Sequence, residues 1–454
     1  MSRSYWLERA WLGTPGAMSD EAVDDVLVSV EDGRFTTVEM GVSEPPSDAL
    51  RLAGLTIPGL ANCHSHAFHR ALRGRTQQGP GSFWTWREQM YALAGGLTPD
   101  SYYDLARATY REMAATGITS VAEFHYLHHG PDGTAYDEPN VMGLAMIEAA
   151  REVGVRIALL DTCYLASGIG SPPVGVQLRY SDGDVEAWRR RVDDLAATVG
   201  RAHRSHDVVV GGAVHSVRAV PRDQMPHVAR WASEREAPLH LHLSEQVAEN
   251  DACLTAYGLT PTQLLDDAGV LGPGTSAVHA THVTDEDIAL LGRSGTFAVL
   301  CPTTERDLGD GIGPSRKLFR AGSLLTLGSD SHAVVDLFEE MRAVEMDQRL
   351  ATHERGHWSA AELLGAATFD GHRSLGFPDA GRITVGARAD LVTLDASSPR
   401  TAGTGCGAET AVFAATAADV AWVMADGKVV ATRDDRRDIG AALDAVIDRC
   451  LAES

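Results

Sequence analysis

Six polar side chains at the ends of apolar runs carry the chemistry that the sequence offers. In chain order they are His64, His66, His242, Glu245, His279 and Asp330. His64 and His66 flank one residue directly after an apolar run, so on an extended backbone both imidazoles point to the same side and can bind one ion. Imidazoles with a carboxylate suit Zn²⁺ first, then Fe²⁺ or Mn²⁺, with one position open to water. The residues therefore predict one metal site, which makes hydroxide near neutral pH.

Eight short β-rich runs alternate with segments of helical periodicity and can position these side chains. The runs are residues 55–66, 118–126, 155–164, 208–217, 238–245, 276–283, 296–304 and 324–332. Segments such as 99–116 and 184–202 between them have apolar residues at helical spacing. This alternation predicts a (β/α)₈ TIM barrel. Every candidate ligand lies at the C-terminal end of its run, which is the face where barrel active sites form.

The flanks of the barrel have a different pattern. A β-hairpin is expected around residues 26–35, a strand at 389–394 and a second hairpin around 420–430. Neither end has enough apolar residues for its own core, so we expect one small β-sandwich built from both ends. The predicted domains are the N-terminal part of this sandwich at 1–57, the metal-dependent barrel at 58–378, and the C-terminal part with a terminal helix at 379–454.

Composition narrows the class of protein. The 454 residues carry a net charge of −23, which argues against a nucleic-acid partner because phosphate binding needs a basic surface. The sequence has no apolar run long enough to span a membrane and its start does not resemble a signal peptide, so we expect a cytoplasmic protein without a membrane partner. The six scattered cysteines are expected to be reduced thiols. Only two lysines occur, Lys317 and Lys428, so arginine must supply nearly all cationic chemistry.

Several motifs resemble the amidohydrolase superfamily over essentially the whole chain. They are PGL at 58–60 leading to His64 and His66, the strand-end His242 and His279, GSDS at 328–331 and ADLV at 389–392. Within this superfamily, four stretches are similar to the formimidoylglutamate deiminases, namely NCHSHAF at 62–68, SFWTWREQMY at 82–91, EFHY at 123–126 and CPTTE at 301–305. The resemblance implies hydrolysis of N-formimino-L-glutamate to N-formyl-L-glutamate and ammonia, a step of histidine degradation.

The resemblance also implies a role for individual residues. His64, His66, His242 and Asp330 are expected to bind one divalent ion, most simply Zn²⁺, while Glu245, His279 and Asp330 act in catalysis. Substrate contacts are expected from Arg87, Tyr126, His215, Arg218 and His69. Position 69 is a departure, because some relatives are expected to have glutamine where this chain has histidine. His282 competes with His279 for the same role on spacing alone, and His279 is favoured because Ala280 and Thr281 continue the pattern of the relatives.

The reaction itself requires a proton to pass from the attacking water to the departing nitrogen, since an amide anion is an unacceptable leaving group. Glu245 is the expected carrier, and His279 is expected to stabilise the tetrahedral adduct. A substrate with two carboxylates needs fixed guanidinium groups in a protein of this negative charge, and Arg87 and Arg218 fit that need. We expect a small-molecule dicarboxylate substrate and a homodimer.

Structural explanations compete with these roles. His242 can be a core histidine, Asp330 can cap the following helix, Glu245 can be a surface carboxylate, and Arg218 can be an ordinary solvated arginine. The aromatic residues of segment 83–86 can simply pack the mouth of the barrel.

Three other functions remain alternatives. A dinuclear hydrolase of the hydantoinase type needs a bridging lysine on the fourth strand, where this chain has none. A deaminase of a purine, pyrimidine or adenosine derivative shares the mononuclear ligands, but its pocket favours ring stacking over two arginines. A catalytically inactive binding protein on the same barrel is the third alternative, since a fold alone never proves activity.

Overall fold

The structure, a computed structural model, describes residues 3–14, 19–77, 81–202, 206–405 and 407–453. Its strands are β1 (Arg3–Ala10), β2 (Val23–Glu31), β3 (Arg34–Glu39), β4 (Leu50–Pro58), β5 (Leu60–Ser65), β6 (Ile118–His125), β7 (Arg156–Cys163), β8 (Val208–Val214), β9 (Leu239–Leu243), β10 (Thr275–His279), β11 (Phe297–Leu300), β12 (Leu325–Leu327), β13 (Leu391–Leu394), β14 (Val420–Ala425) and β15 (Lys428–Thr432).

The α-helices are α1 (Phe83–Gly96), α2 (Pro99–Ala115), α3 (Val141–Val153), α4 (Val185–Ala202), α5 (Met225–Glu234), α6 (Val247–Tyr257), α7 (Pro261–Asp267), α8 (Asp285–Ser294), α9 (Pro302–Leu308), α10 (Ser315–Ala321), α11 (Leu337–Thr352), α12 (Ala360–Ala367), α13 (Phe369–Ser374) and α14 (Arg436–Glu453). Short 3₁₀ helices cover Ala67–Leu72, Gly175–Tyr180, Ala417–Asp419 and Arg433–Asp435, and Thr410–Ala414 forms one π turn.

The predicted barrel is confirmed. Strands β5 to β12 form one eight-stranded sheet in sequence order, and each described pair of neighbours is parallel. All residues of β5, β6, β7 and β9 are buried, which agrees with apolar runs covered on both faces. A parallel bridge between Ser65 and Asp330 brings the last barrel strand back to the first. The carboxyl ends of all eight strands therefore surround one space.

The first predicted run, residues 55–66, is two strands and not one. Strand β4 ends at Pro58 and belongs to the flanking sheet, whereas β5 begins at Leu60 and opens the barrel. Gly59 separates them, and a Cβ at this position would lie only 2.3 Å from Oγ1 of Thr119. A continuous apolar run does not reveal such a change of sheet, because both strands are buried.

The strands from the two chain ends form one seven-stranded sheet. Its order is β15-β14-β13-β4-β1-β2-β3. Both expected hairpins are present, with Val30 opposite Phe35 in the first and Ala425 opposite Lys428 in the second. Strand β4 pairs with β1 on one side and with β13 on the other, so it joins the contributions of the two ends. The predicted terminal helix is α14.

A buried ion-pair network connects this sheet to the barrel. Arg156, the first residue of β7, pairs with Asp390, and both side chains are 1% exposed. Its Nη1 lies 2.9 Å from Oδ2 of Asp426, in the turn between β14 and β15, and its Nε donates to the hydroxyl of Ser120 at 2.9 Å. Burial opposes the charge of Arg156, but the two carboxylates raise the pKa of the guanidinium above its ordinary value. The network therefore fixes the C-terminal strands against the barrel.

Closure of the barrel depends on Gly328. A Cβ at this position would lie 2.7 Å from the Cβ of His64 and 2.8 Å from its backbone nitrogen. The backbone amides of Ser329 and Asp330 donate to the carbonyl oxygen of His64 at 3.1 and 3.0 Å. Asn62 adds two side-chain bonds to Ser329, of 2.7 and 3.0 Å. Only a residue without a side chain permits this close approach.

Two observations concern the environment of the chain. None of the described helices is long and apolar enough to cross a membrane. The five described cysteines are buried free thiols, and Cys406 lies outside the described residues.

Arg156→Met should destabilise the protein, because it leaves Asp390 buried without its cation. We expect the free energy of unfolding to fall by ~3 to 5 kcal/mol, measured by urea denaturation. Arg189→Met is the matched control, since Arg189 pairs with Glu186 at the surface with both side chains nearly half exposed, and it should cost less than ~1 kcal/mol. Equal effects of the two substitutions would contradict the role of the network.

Candidate metal centre and active site

Four of the predicted residues converge at the carboxyl end of the barrel. Nε2 of His64 lies 3.1 Å from Nε2 of His242 and 3.3 Å from Oδ1 of Asp330. Nε2 of His66 lies 3.5 Å from the same Asp330 oxygen. All four side chains are buried. The ligand atoms of His64, His66 and His242 all lie within 4.8 Å of one another, a spacing that one ion can bridge.

The Nδ1 atoms of two of these histidines form the hydrogen bonds that are expected of metal-binding imidazoles. Nδ1 of His66 lies 3.0 Å from the carbonyl oxygen of Phe124, and Nδ1 of His242 lies 3.0 Å from that of His215. Because a carbonyl oxygen only accepts, each Nδ1 must carry the proton, and each Nε2 presents a lone pair to the centre. Histidine ligands to metals are held in this way. The donor set therefore fits a divalent cation.

The charge states of the ligands agree with this assignment. Burial lowers the pKa values of His64, His66 and His242 below the ordinary histidine value, so the imidazoles are neutral. Burial alone would raise the pKa of Asp330, but the hydrogen bond with His64 outweighs it, and the pKa is lowered to about 2. Asp330 is therefore ionised. It does not cap the next helix, because Asp336 caps α11.

Glu245 and His279 lie beside the ligands. Nε2 of His279 is 3.9 Å from Oε1 of Glu245 and 3.6 Å from Oδ2 of Asp330. Burial raises the pKa of Glu245 to about 8, and the charges of His279 and Arg218 oppose that rise. Burial opposes protonation of His279, but the neighbouring Glu245 and Glu305 raise its pKa. A buried carboxyl and a buried imidazole with displaced pKa values form a typical acid–base pair.

Several strand ends at this face have left-handed backbone conformations. The φ angles are +49° for Ser244, +71° for His279 and +39° for Asp330. Such conformations cost non-glycine residues of order 1–3 kcal/mol each and persist where the surrounding structure imposes them. They turn the chain sharply as each strand ends.

Two buried glutamates support the site, and the sequence interpretation assigned neither a role. Nδ1 of His279 lies 3.4 Å from Oε1 of Glu305, which also accepts the backbone amide of Cys301 at 3.0 Å. Glu123 accepts the hydroxyl of Ser65 at 2.9 Å and the backbone amide of Ala67 at 2.8 Å, on either side of His66. Glu123 and Glu305 both lie in motifs that carried the resemblance, which was the available signal.

A cavity ends at the cluster that contains His66, His242 and Asp330. All five predicted substrate residues line it, namely His69, Arg87, Tyr126, His215 and Arg218. Nε2 of His69 lies 3.1 Å from the hydroxyl of Tyr126, so this histidine forms part of the wall. His279 lines the cavity, whereas His282 is not among the described lining residues. The spacing in the sequence did not decide between these two histidines, whereas the tertiary structure places His279 in the wall of the cavity.

The two arginines have different surroundings. The guanidinium carbon of Arg87 lies 4.5 Å from the ring centroid of Trp84 and 5.4 Å from that of Tyr91, and Arg87 has no ion-pair partner among the described residues. Nε of Arg218 donates to Oε2 of Glu249 at 2.6 Å. Burial lowers the pKa of His215, and the charges of Arg218 and Arg87 lower it further, so both guanidinium groups lie near this histidine.

A parallel eight-stranded barrel with clustered histidine and aspartate side chains at its carboxyl end is typical of metal-dependent hydrolases. The family model for the amidohydrolase family matches residues 55–430. The chain belongs to the amidohydrolase family, which confirms the resemblance seen in the sequence. Neither lysine of the chain lies on barrel strand β8, because Lys317 is on α10 and Lys428 is on β15. The bridging lysine of a dinuclear hydantoinase-type site is therefore missing.

Individual relatives narrow the comparison. Formimidoylglutamate deiminase of Pseudomonas aeruginosa is 37% identical over 362 residues, covering 77% of this chain and 78% of the relative. A 5-methylthioadenosine/S-adenosylhomocysteine deaminase of Haloarcula marismortui is 28% identical over 413 residues, covering 89% and 88%. The crystal structure of an amidohydrolase from Brucella melitensis superposes with a TM-score of 0.89 at 30% identity, covering 99% of this chain and 100% of that one.

The purified protein should contain about one divalent metal per chain after loading, because candidate ligand groups of the described residues overlap at His66 and Asp330 and a bridging lysine is lacking. Elemental analysis by mass spectrometry measures this. His242→Asn should lose most of the metal, whereas His353→Asn, at an exposed position after α11, should keep it. Two tightly bound equivalents, both required for turnover, would contradict a mononuclear centre.

Proposed function

We propose that the protein is a metal-dependent deiminase that hydrolyses N-formimino-L-glutamate to N-formyl-L-glutamate and ammonia. The observation that carries this proposal is the pairing of two guanidinium groups, Arg87 and Arg218, in one cavity that ends at the buried ligand cluster. A substrate with two carboxylates matches that pattern of charge. The 37% identical relative with this activity supports the same substrate.

The proposed ligands of the ion are His64, His66, His242 and Asp330. Three neutral imidazoles and one ionised carboxylate favour Zn²⁺ among the divalent cations, with Fe²⁺ or Mn²⁺ as alternatives. When bound, the ion supplies Lewis acidity, which lowers the pKa of water to near neutrality.

The proton transfers fall to three neighbouring side chains. Asp330, ionised, can accept a proton from the attacking water. Glu245 has a pKa raised by burial to about 8, so it carries a proton at neutral pH and can donate it to the departing nitrogen. His279, between these two carboxyl groups, is placed to stabilise the oxygen of the tetrahedral carbon. With the formimino group entering as a cation, the hydroxyl proton of the adduct passes to the carboxylate of Glu245 as ammonia leaves, so the formyl carbonyl forms and Glu245 is protonated again. Asp330 then returns the proton taken from water to the solvent.

The arginines suggest the orientation of the substrate. Arg218 acts on Glu245 through its charge, so we assign it to the α-carboxylate, which is attached to the carbon that bears the retained nitrogen. Arg87 comes from α1, beside Trp84, and is assigned to the distal carboxylate. Tyr126, His69 and His215 complete the wall between the metal ligands and these cations.

A deaminase of a purine, pyrimidine or adenosine derivative is the second candidate. The observations that favour it are the aromatic lining of the cavity, which includes Phe83, Trp86, Tyr126, Tyr164 and Tyr180, and the 28% identical deaminase from Haloarcula marismortui. Ammonia release from N-formimino-L-glutamate, guanine, cytosine and adenosine, measured side by side, distinguishes the two. Turnover of a ring substrate alone would overturn the proposed function.

Glu245→Gln should leave the metal content and substrate binding nearly intact and lower kcat by at least ~10² to 10⁴. The amide keeps the shape of the side chain but cannot transfer a proton. Steady-state kinetics with N-formimino-L-glutamate measures the effect. Glu88→Gln, at an exposed position on α1, is the control and should behave as wild type. Wild-type kcat in Glu245→Gln would show that another group moves the proton.

Arg218→Met and Arg87→Met should each lower kcat/KM for N-formimino-L-glutamate by roughly 30-fold to several thousand-fold, since removing one partner of a buried charge pair costs ~2 to 5 kcal/mol. A neutral ring substrate needs neither arginine. Arg222→Met is the control, because Arg222 pairs with Asp267 at the surface. Unchanged kcat/KM in both variants at low ionic strength would refute the carboxylate assignment.

A further inference from the structure

Glu249 stands out among the buried groups to which the proposed mechanism gives no role. It lies in the first turn of α6, and its side chain is 2% exposed. One carboxylate oxygen accepts Nε of Arg218 at 2.6 Å, and the other accepts the backbone amide of Ser244 at 3.0 Å. Glu249 therefore bridges the side chain assigned to a substrate carboxylate and the residue that precedes Glu245.

A buried carboxylate beside Arg218 is electrostatically unfavourable for the binding of an anionic substrate. A carboxylate that already binds Arg218 repels an anionic substrate bound to the same guanidinium group. A site that needs only positive charge would not include Glu249. Its presence is explained if the guanidinium of Arg218 must be held in one orientation.

The geometry shows which part of Arg218 is held and which is available. The bond to Glu249 uses Nε, and the two terminal nitrogens have no hydrogen-bond partner among the described residues, although Arg218 lines the cavity. Two parallel N–H groups can bind one carboxylate through both oxygens. The opposite end of the bridge is rigid, because Ser244 has a φ of +49° and its carbonyl oxygen accepts the backbone amide of His282 at 3.0 Å.

We propose that Glu249 is a positioning residue that fixes Arg218 relative to the strand end bearing Glu245, so that the α-carboxylate of the substrate binds in register with the proton carrier. This inference rests on the proposed function. It makes Glu249 a determinant of specificity for substrates with that carboxylate.

Glu249→Gln tests the inference, because loss of positioning and simple loss of negative charge change KM in opposite directions. A glutamine has one acceptor, which the immobile amide of Ser244 retains, so Arg218 loses its anchor. We expect KM for N-formimino-L-glutamate to rise ~10- to 100-fold, the equivalent of a lost charge-assisted hydrogen bond, with kcat and metal content nearly unchanged. Removal of a negative charge alone would lower KM for an anionic substrate. A lowered or unchanged KM would therefore overturn the proposal.

Two further measurements separate positioning from a merely structural role. The double variant Glu249→Gln/Arg218→Met should be no worse than Arg218→Met, because both changes act through one guanidinium. The analogue 4-(formimidoylamino)butanoate lacks the α-carboxylate, so its kcat/KM should be the same in wild type and Glu249→Gln. Additive effects, or an equal loss with the analogue, would overturn the inference.

Controls keep the outcomes distinct. Asp251→Asn removes the same charge from an exposed position of α6 and should leave the kinetics unchanged. If Glu249→Gln does not fold, Glu249→Asp provides the test, because a side chain shorter by one methylene cannot reach both partners and should also raise KM. Wild-type inactivity with N-formimino-L-glutamate would overturn the proposed function together with this inference, whereas an active wild type with unaltered variants would overturn the inference alone.

Discussion

Closure of the barrel is the constraint on which the site depends. Strand β12 approaches β5 so closely that Gly328 lies against the backbone of His64, and the amides of Ser329 and Asp330 bond to the carbonyl of His64. These contacts place Asp330 beside the first two histidine ligands, although it lies far away in the sequence. Because the bonds come from the backbone, the fold itself sets the position of the aspartate.

The second theme is the placement of charge in a protein with a net charge of −23. The acids of the site are in different states: hydrogen bonding with His64 lowers the pKa of Asp330 although burial opposes this, whereas burial raises the pKa of Glu245. Arg87 presents a cation without a described carboxylate partner, but Arg218 is held by Glu249. The same protein can therefore keep one acid ionised, keep another protonated and still present two guanidinium groups to the cavity.

Much of the architecture follows from the sequence. Eight apolar runs of strand length, separated by helical segments, were enough to predict the barrel, since strands buried on both faces are recognisable by composition. The pair His64 and His66 indicated a metal centre because alternate residues of a strand share a face. The motifs around them identified the amidohydrolase family, and all nominated substrate residues line the cavity.

Other features were decided only by the tertiary structure. Gly59 divides one apolar run between two sheets, because contact with Thr119 leaves no room for a side chain. His279 and not His282 lines the cavity, since the direction of a side chain after a strand depends on how the loop turns. Glu249 meets Arg218 through packing of α6 against the loop after β8. The sequence determined the strands, the ligand types and the family, whereas pairings between distant residues arise from packing, which local periodicity does not encode.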